Sequence, residues 1–130
     1  MGKDWQGDIL EFHKAIGAHI EEHPTLPPRT VKGLRWDLIR EEMNETLTAI
    51  ADDDLVKVAD GIGDSMVVLL GTAVSYGIDM HPIWDEIHRT NMLKKDGPVR
   101  ADGKRLKPPN WEHPKIRELL LEQQRGGKTL

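Results

Sequence analysis

A chain of 130 residues with a formal net charge of -4 has the size of one domain, and its acidity argues against general affinity for the nucleic-acid backbone. It contains no cysteine, which excludes a disulfide framework, a thiolate zinc site and a thiol nucleophile, and which suits a reducing cytoplasm. Met1-Gly2-Lys3-Asp4-Trp5 lacks the apolar core of a signal peptide, and the longest uncharged run, Ser65 to Ile78, is too short to span a bilayer, so a membrane partner is not expected.

The first predicted helix runs from Trp5 to about Ile20, with Ile9, Phe12, His13, Ile16 and Ile20 spaced by three and four. Phe12 and His13 read as core packing and a satisfied polar neighbour, and as second-rank candidates for a substrate contact. Pro24, Pro27 and Pro28 then impose a stiff connector. A second helix is expected from a Thr30 cap to about Asp52. Stepping about 100° per residue puts Glu41, Glu42 and Glu45 on one face with Val31, Leu34, Leu38 and Ala49. Burying three carboxylates costs on the order of several kcal/mol unless a cation neutralises them. The positions four residues on are Glu45, Thr46 and Ala49, so no lysine does so along the helix, as it would on a solvated acidic face. A second apolar stripe of Trp36, Ile39, Met43, Leu47 and Ile50 lies on roughly the opposite side, and a helix buried on two sides needs two neighbours.

Asp54 is the expected cap of a third, strongly apolar helix over Leu55 to about Tyr76, closed by Gly77. Asp60 and Asp64 share a face there with Val56, Val67, Gly71 and Val74, and the glycines Gly61, Gly63 and Gly71 suggest close approach of a backbone or a ligand. Asp79 caps a fourth helix with Pro82 in its first turn. Its inward stripe of Ile83 and Ile87 continues to Asn91 and Lys94, while Trp84 and His88 read as packing. Two Asp-Gly turns and three prolines make the basic segment Asp96 to Trp111 an ordered loop or short hairpin. A short fifth helix follows over His113 to about Gln124, and Arg125 to Leu130 reads as a frayed tail.

The expected architecture is all-α. It is a four-helix-bundle-type subunit with a C-terminal loop and short fifth helix, one domain over 1–130 with its core at 5–95 and the appended part at 96–124. Folding the second and third helices back through a short acidic link would gather five carboxylates around one cavity. Magnesium takes one or two protein carboxylates plus substrate phosphates, so five acids suit two or more ions or leave one acid over as a base. A di-iron bundle is disfavoured, because no Glu-x-x-His motif occurs.

Arg40-Glu41-Glu42-Met43-Asn44-Glu45, Asp60-Gly61-Ile62-Gly63-Asp64 and Asn91-Met92-Leu93-Lys94 resemble the MazG-like all-α nucleoside triphosphate pyrophosphatases, with their EExxE, ExxD and downstream Asn and Lys. Glu11-Phe12-His13-Lys14-Ala15-Ile16-Gly17 and Gly97-Pro98-Val99-Arg100-Ala101-Asp102-Gly103-Lys104-Arg105-Leu106-Lys107-Pro108 look like the dUTPase-like bacterial and phage branch. One departure is that the Glu of ExxD would fall at Gly61, the acid here being Asp60. The resemblance implies hydrolysis between the α and β phosphates of a dUTP-like nucleoside triphosphate, with magnesium, or manganese in its place. It casts Glu42, Glu45, Asp64 and Asp60 as metal ligands, Glu41 as the base, and Asn91, Lys94, Arg100 and Lys104 as substrate contacts. It also implies a homodimer that can pair again into a tetramer. The contrasting reading is a non-catalytic helical module that binds a basic partner through its acidic face.

Overall fold

The computed structural model describes residues 2–126. The chain is all-α, with α1 Trp5–Ile16, α2 Arg29–Ala51, α3 Leu55–Ser75, α4 Met80–Met92, a 3₁₀ turn Leu93–Asp96 and α5 Ile116–Gly126. The sequence explains most of the boundaries. Asp4 accepts from the Gly7 N–H (2.9 Å) to start α1, Asp54 accepts from Lys57 N–H (3.1 Å) to start α3, and Asp79 accepts from His81 N–H (3.0 Å) to start α4.

Two boundaries differ from expectation. α1 stops at Ile16, a turn short of Ile20, because Gly17 enters the left-handed region (φ 72°) and the Gly17 and Ala18 N–H groups both close on the His13 carbonyl. α2 starts at Arg29 without a Thr30 cap: Pro28 holds the cap position, and its carbonyl takes the Val31 and Lys32 N–H groups, each at 3.0 Å. α5 starts later than His113 and continues through Arg125; the rest of the expected tail, 127–130, lies outside the described residues.

α1 and α2 both pack along α3, whereas α4 packs chiefly with the 3₁₀ turn and α5. Gln6 joins the two groups, and Gln123 ties α5 to the start of α4. Gln6 donates to the Ile78 carbonyl (2.7 Å) and accepts from Met80 N–H (2.8 Å), and Gln123 accepts from Asp79 N–H and donates to its carbonyl, each at 2.9 Å. Gln6 and Gln123 are buried, so these bonds hold in a low dielectric. α3 is long and apolar enough to cross a membrane by length and composition, with a mean hydropathy of 1.3 in its most apolar window. It is also the helix along which α1 and α2 pack, and the central helix of a bundle meets the same test of length and composition.

The tightest seam lies between α2 and α3. Thr46 Oγ1 donates to the Glu42 carbonyl (2.8 Å) and stands 3.2 Å from the buried Ser65 hydroxyl. Opposite it Gly61 is buried, and a Cβ there would stand 2.5 Å from Thr46 Oγ1 and 3.1 Å from Thr46 Cα. The close backbone approach anticipated for the α3 glycines therefore occurs at Gly61.

The apolar core of one chain is small: Ile9, Ala49, Val68, Ala73, Val74 and Ile83. The accessible surface is 9469 Å² for a mass of 14.7 kDa, where a compact monomer of that mass exposes about 6,900 Å². Much of the excess is apolar. Trp36, Met43, Leu47 and Ile50 on α2 are exposed, as are Ile62 and Leu69 on α3, so the second α2 stripe has no neighbour within the chain. Trp84 and His88, read as packing, point outward instead, because α4 leans toward α5 and presents that side to solvent.

Gly61→Ala should loosen the α2–α3 seam, since the obstructing atoms include backbone and cannot swing away. A loss of about 1–3 kcal/mol in urea unfolding is expected, and Gly63→Ala, where a Cβ meets nothing within 4 Å, should be neutral or stabilising.

Candidate functional site

The α2–α3 seam determines which acids meet. The inward face of α2 runs through buried Arg35, half-buried Leu38, Glu42 and Thr46, and buried Ala49. It is rotated from the expected face, so Leu34, Glu41 and Glu45 are exposed at its edges. Thr46 at the point of closest approach imposes this rotation. On α3, Asp64 is half-buried and Asp60 is exposed, as is Val56, which was expected to face inward.

Glu42 is therefore the centre of the acidic cluster. Burial raises its carboxyl above the usual range, and the charges of Glu45, Asp64 and Glu41 raise it further. Its Oε2 is buried and has no hydrogen-bond partner, a costly state for a carboxylate oxygen. Asp60 does not contribute to this field. Among the described residues no three His, Asp or Glu side chains are gathered closely enough to ring an ion. Glu42 and Glu45 stand close enough to share a hydrogen bond between their carboxyl groups.

The basic candidates form a separate group on α4 and the segment after it. Lys94 is half-buried, with Nζ 5.2 Å from the Trp111 ring centroid, and Lys107 lies over the same ring at 4.6 Å. Trp111 is fixed by its Nε1–H, which donates to the Thr90 carbonyl (2.7 Å). Beyond it the chain makes the expected short hairpin: Val99 pairs with Arg105 in an antiparallel bridge, and Arg100 N–H donates to the Lys104 carbonyl (2.7 Å). Arg100 is a fork on Asp102, Nε donating at 2.9 Å, while the Lys104 side chain is exposed. Asn91 is exposed too, contrary to the expected inward stripe, which passes through Ile83, Ile87, Thr90 and Lys94 instead. No hydrogen bond or ion pair among the described residues connects Glu41, Glu42, Glu45, Asp60 or Asp64 with Asn91, Lys94, Arg100 or Lys104.

The α1 candidates part company. Phe12 is exposed, against the packing expected of it, whereas His13 is buried and donates Nδ1–H to the His19 carbonyl (3.1 Å). Burial, and secondarily the nearby Arg35 charge, lower the His13 pKa, so the ring is neutral at neutral pH. Sequence reasoning missed Arg35 itself, which is buried beside His13 at Gly71. Its signal was its heptad spacing from Glu42 and Ala49 on the inward face.

Comparison with known proteins bears on this geometry. The phosphoribosyl-ATP pyrophosphohydrolase family model matches residues 9–91, from within α1 to the last turn of α4. A stretch of 53 residues is 40% identical to "Uncharacterized protein L479" of Acanthamoeba polyphaga mimivirus, covering 41% of this chain and 21% of that protein. The chain thus matches about a fifth of the length of that relative.

Glu42→Gln should leave the metal-free protein folded and at least as stable as wild type at pH 7. A carboxylate whose pKa is raised on folding weakens the fold once the pH exceeds its unfolded value of about 4.5, and the amide removes that penalty. Thermal melts in EDTA should show the Gln variant gaining on wild type as the pH rises above about 4.5 and keeping that gain at pH 8; a lower Tm throughout would show that the carboxylate is stabilising.

Proposed function

The chain belongs to the phosphoribosyl-ATP pyrophosphohydrolase family, and we propose that it hydrolyses a nucleoside triphosphate between its α and β phosphates, giving the monophosphate and pyrophosphate with magnesium as cofactor. The observation that carries this reading is Glu42, whose buried Oε2 lacks a partner while three neighbouring acids surround it with like charge. An all-oxygen donor set with an unsatisfied acceptor fits a hard divalent cation. Glu42, Glu45 and Asp64 would hold it, with Asp60 at the margin, and manganese would substitute. Bound magnesium would offset the charge of the triphosphate and polarise the phosphorus under attack.

The protein's own groups do the remaining work. Glu41, exposed beside Glu42, takes the proton of the attacking water. Lys94, Arg100 and Lys104 pair with phosphate oxygens, and Asn91 offers a donor and an acceptor to the base. The exposed Phe12 ring offers a face for the base, and the buried His13, beside it on α1, fixes this end of the helix through the His19 carbonyl. The EFHKAIG-like and GPVRADGKRLKP segments support the dUTPase-like branch, so dUTP is the first substrate to expect, and the cytoplasm the place.

We further infer a homodimer, able to pair again into a tetramer. The surface exposed beyond that of a compact monomer, roughly 2,500 Å² by the mass relation, is on the scale that obligate dimers bury. The C-terminal part of the α2 stripe, Met43, Leu47 and Ile50, supplies an interface, and since acids and basic arm are unconnected within one chain, the arm of one copy can close on the acids of the other.

Pyrophosphate release should be assayed with dUTP, the other deoxynucleoside and ribonucleoside triphosphates, and phosphoribosyl-ATP. We expect dUTP to be preferred, EDTA to abolish turnover, and Glu42→Gln or Asp64→Asn to lower it by about a hundredfold or more. Preference for phosphoribosyl-ATP would overturn the branch assignment. Silence toward every substrate would favour a non-catalytic module that binds a basic partner. Lys94→Ala should weaken nucleotide binding by about tenfold in calorimetry and leave magnesium binding unchanged.

For the assembly, Met43→Glu or Leu47→Glu should dissociate or unfold the protein, because each would bury an unpaired charge. Light scattering that finds a fully active wild-type monomer at micromolar concentration would refute the dimer.

A further inference from the structure

The N-terminal half of α2 carries positive charge that the fold does not neutralise. Arg35 is 6% exposed. Its Nε donates to Thr72 Oγ1 (3.1 Å) and its Nη2 to the Val68 carbonyl (2.8 Å), both neutral acceptors. Nη1 donates no hydrogen bond among the described residues, and burial alone lowers the pKa, with no carboxylate opposing it. Space for the guanidinium comes from Gly71, where a Cβ would stand 2.5 Å from Nη2. A buried charge without a counter-ion weakens a fold, so its retention calls for an explanation.

The surroundings sharpen the anomaly. Arg35 lines a cavity of about 520 Å³ together with Arg29, Lys32, Trp36, Thr72 and Tyr76. Arg29 and Lys32 lie in the first turn of α2, where there is no acidic residue and no capping side chain. The positive end of the helix dipole adds to their charge. Three cations and the dipole thus point the same way, and an anion would reverse the sign of every one of these interactions. Trp36 is 68% exposed and forms part of the same wall, which gives an anion's organic part an aromatic surface. By contrast, the second cavity, of about 410 Å³ along α4 and α5, is lined by charges of both signs, with Arg89 bridged to Glu86.

We propose that the Arg35 cavity is a metal-independent binding site for a phosphomonoester dianion joined to a flat ring. Arg29, Lys32 and the Nη1 of Arg35 hold the phosphate, and Trp36 and Tyr76 hold the ring. The site is separate from the acidic cluster and does not depend on the hydrolytic reading.

Calorimetry in EDTA tests it, with phenyl phosphate, AMP and inorganic phosphate as probes. All three should bind, the two ring-bearing probes about tenfold more tightly. Arg29→Gln combined with Lys32→Gln, both at exposed positions, should weaken all three by about tenfold or more. Trp36→Leu should remove the advantage of the ring-bearing probes, and Glu42→Gln should leave every affinity unchanged. No binding to the folded wild type, or affinities unchanged in the Arg29/Lys32 variant, would overturn the site. Equal affinity for inorganic phosphate and phenyl phosphate would overturn its ring half. A loss on Glu42→Gln would move the phosphate to the acidic cluster.

Discussion

The seam where Thr46 of α2 meets Gly61 of α3 sets the register for everything charged in this chain. Because no side chain stands at Gly61, the two backbones approach closely, and the Thr46 and Ser65 hydroxyls meet across the gap. That contact turns Glu42 toward Asp64 and, two turns away on the same face, turns Arg35 toward Gly71 and Thr72. A rotation of α2 by one residue would return both charged groups to water. The two most costly burials in the chain thus follow from one close packing event.

Along α2 the charges are arranged against the ordinary preferences of a helix. Basic groups crowd its N-terminus and acids crowd its middle, and among the described residues the local ion pair along it, Arg40 with Asp37, involves neither group. Such an arrangement lowers intrinsic stability, and natural proteins break these preferences mainly where a ligand makes use of the result. The all-oxygen cluster suits a cation and the guanidinium cavity suits an anion. A single helix therefore offers opposite fields to its two surroundings.

The remaining part of the molecule is built on a different principle. α4, the 3₁₀ turn, the hairpin and α5 are joined to α1 through the buried Gln6 and to one another through the buried Gln123. Trp111 acts as the local anchor, fixed to the Thr90 carbonyl and overlaid by Lys94 and Lys107. The basic arm is consequently ordered by its own contacts and not by the acids. Together with the uncovered stripe of α2, this leaves the chain with surfaces that have more to bury than one copy provides.

The sequence by itself determined the helical class, the caps at Asp54 and Asp79, the stop at Gly77 and the short hairpin after the 3₁₀ turn. These are local matters, governed by side chains within a few residues of the backbone groups they satisfy. It also made the acids of α2 and α3 legible as a cluster, because helical periodicity carries a face over several turns. Only the tertiary structure decided which acid stands at the centre. The Thr46–Gly61 contact selects Glu42 and leaves Glu41, Glu45 and Asp60 exposed, a choice of tens of degrees that periodicity cannot make. Arg35 stayed hidden for a related reason: an arginine on a helix is ordinarily solvated, and its burial depends on the missing Cβ of Gly71, far away along the chain.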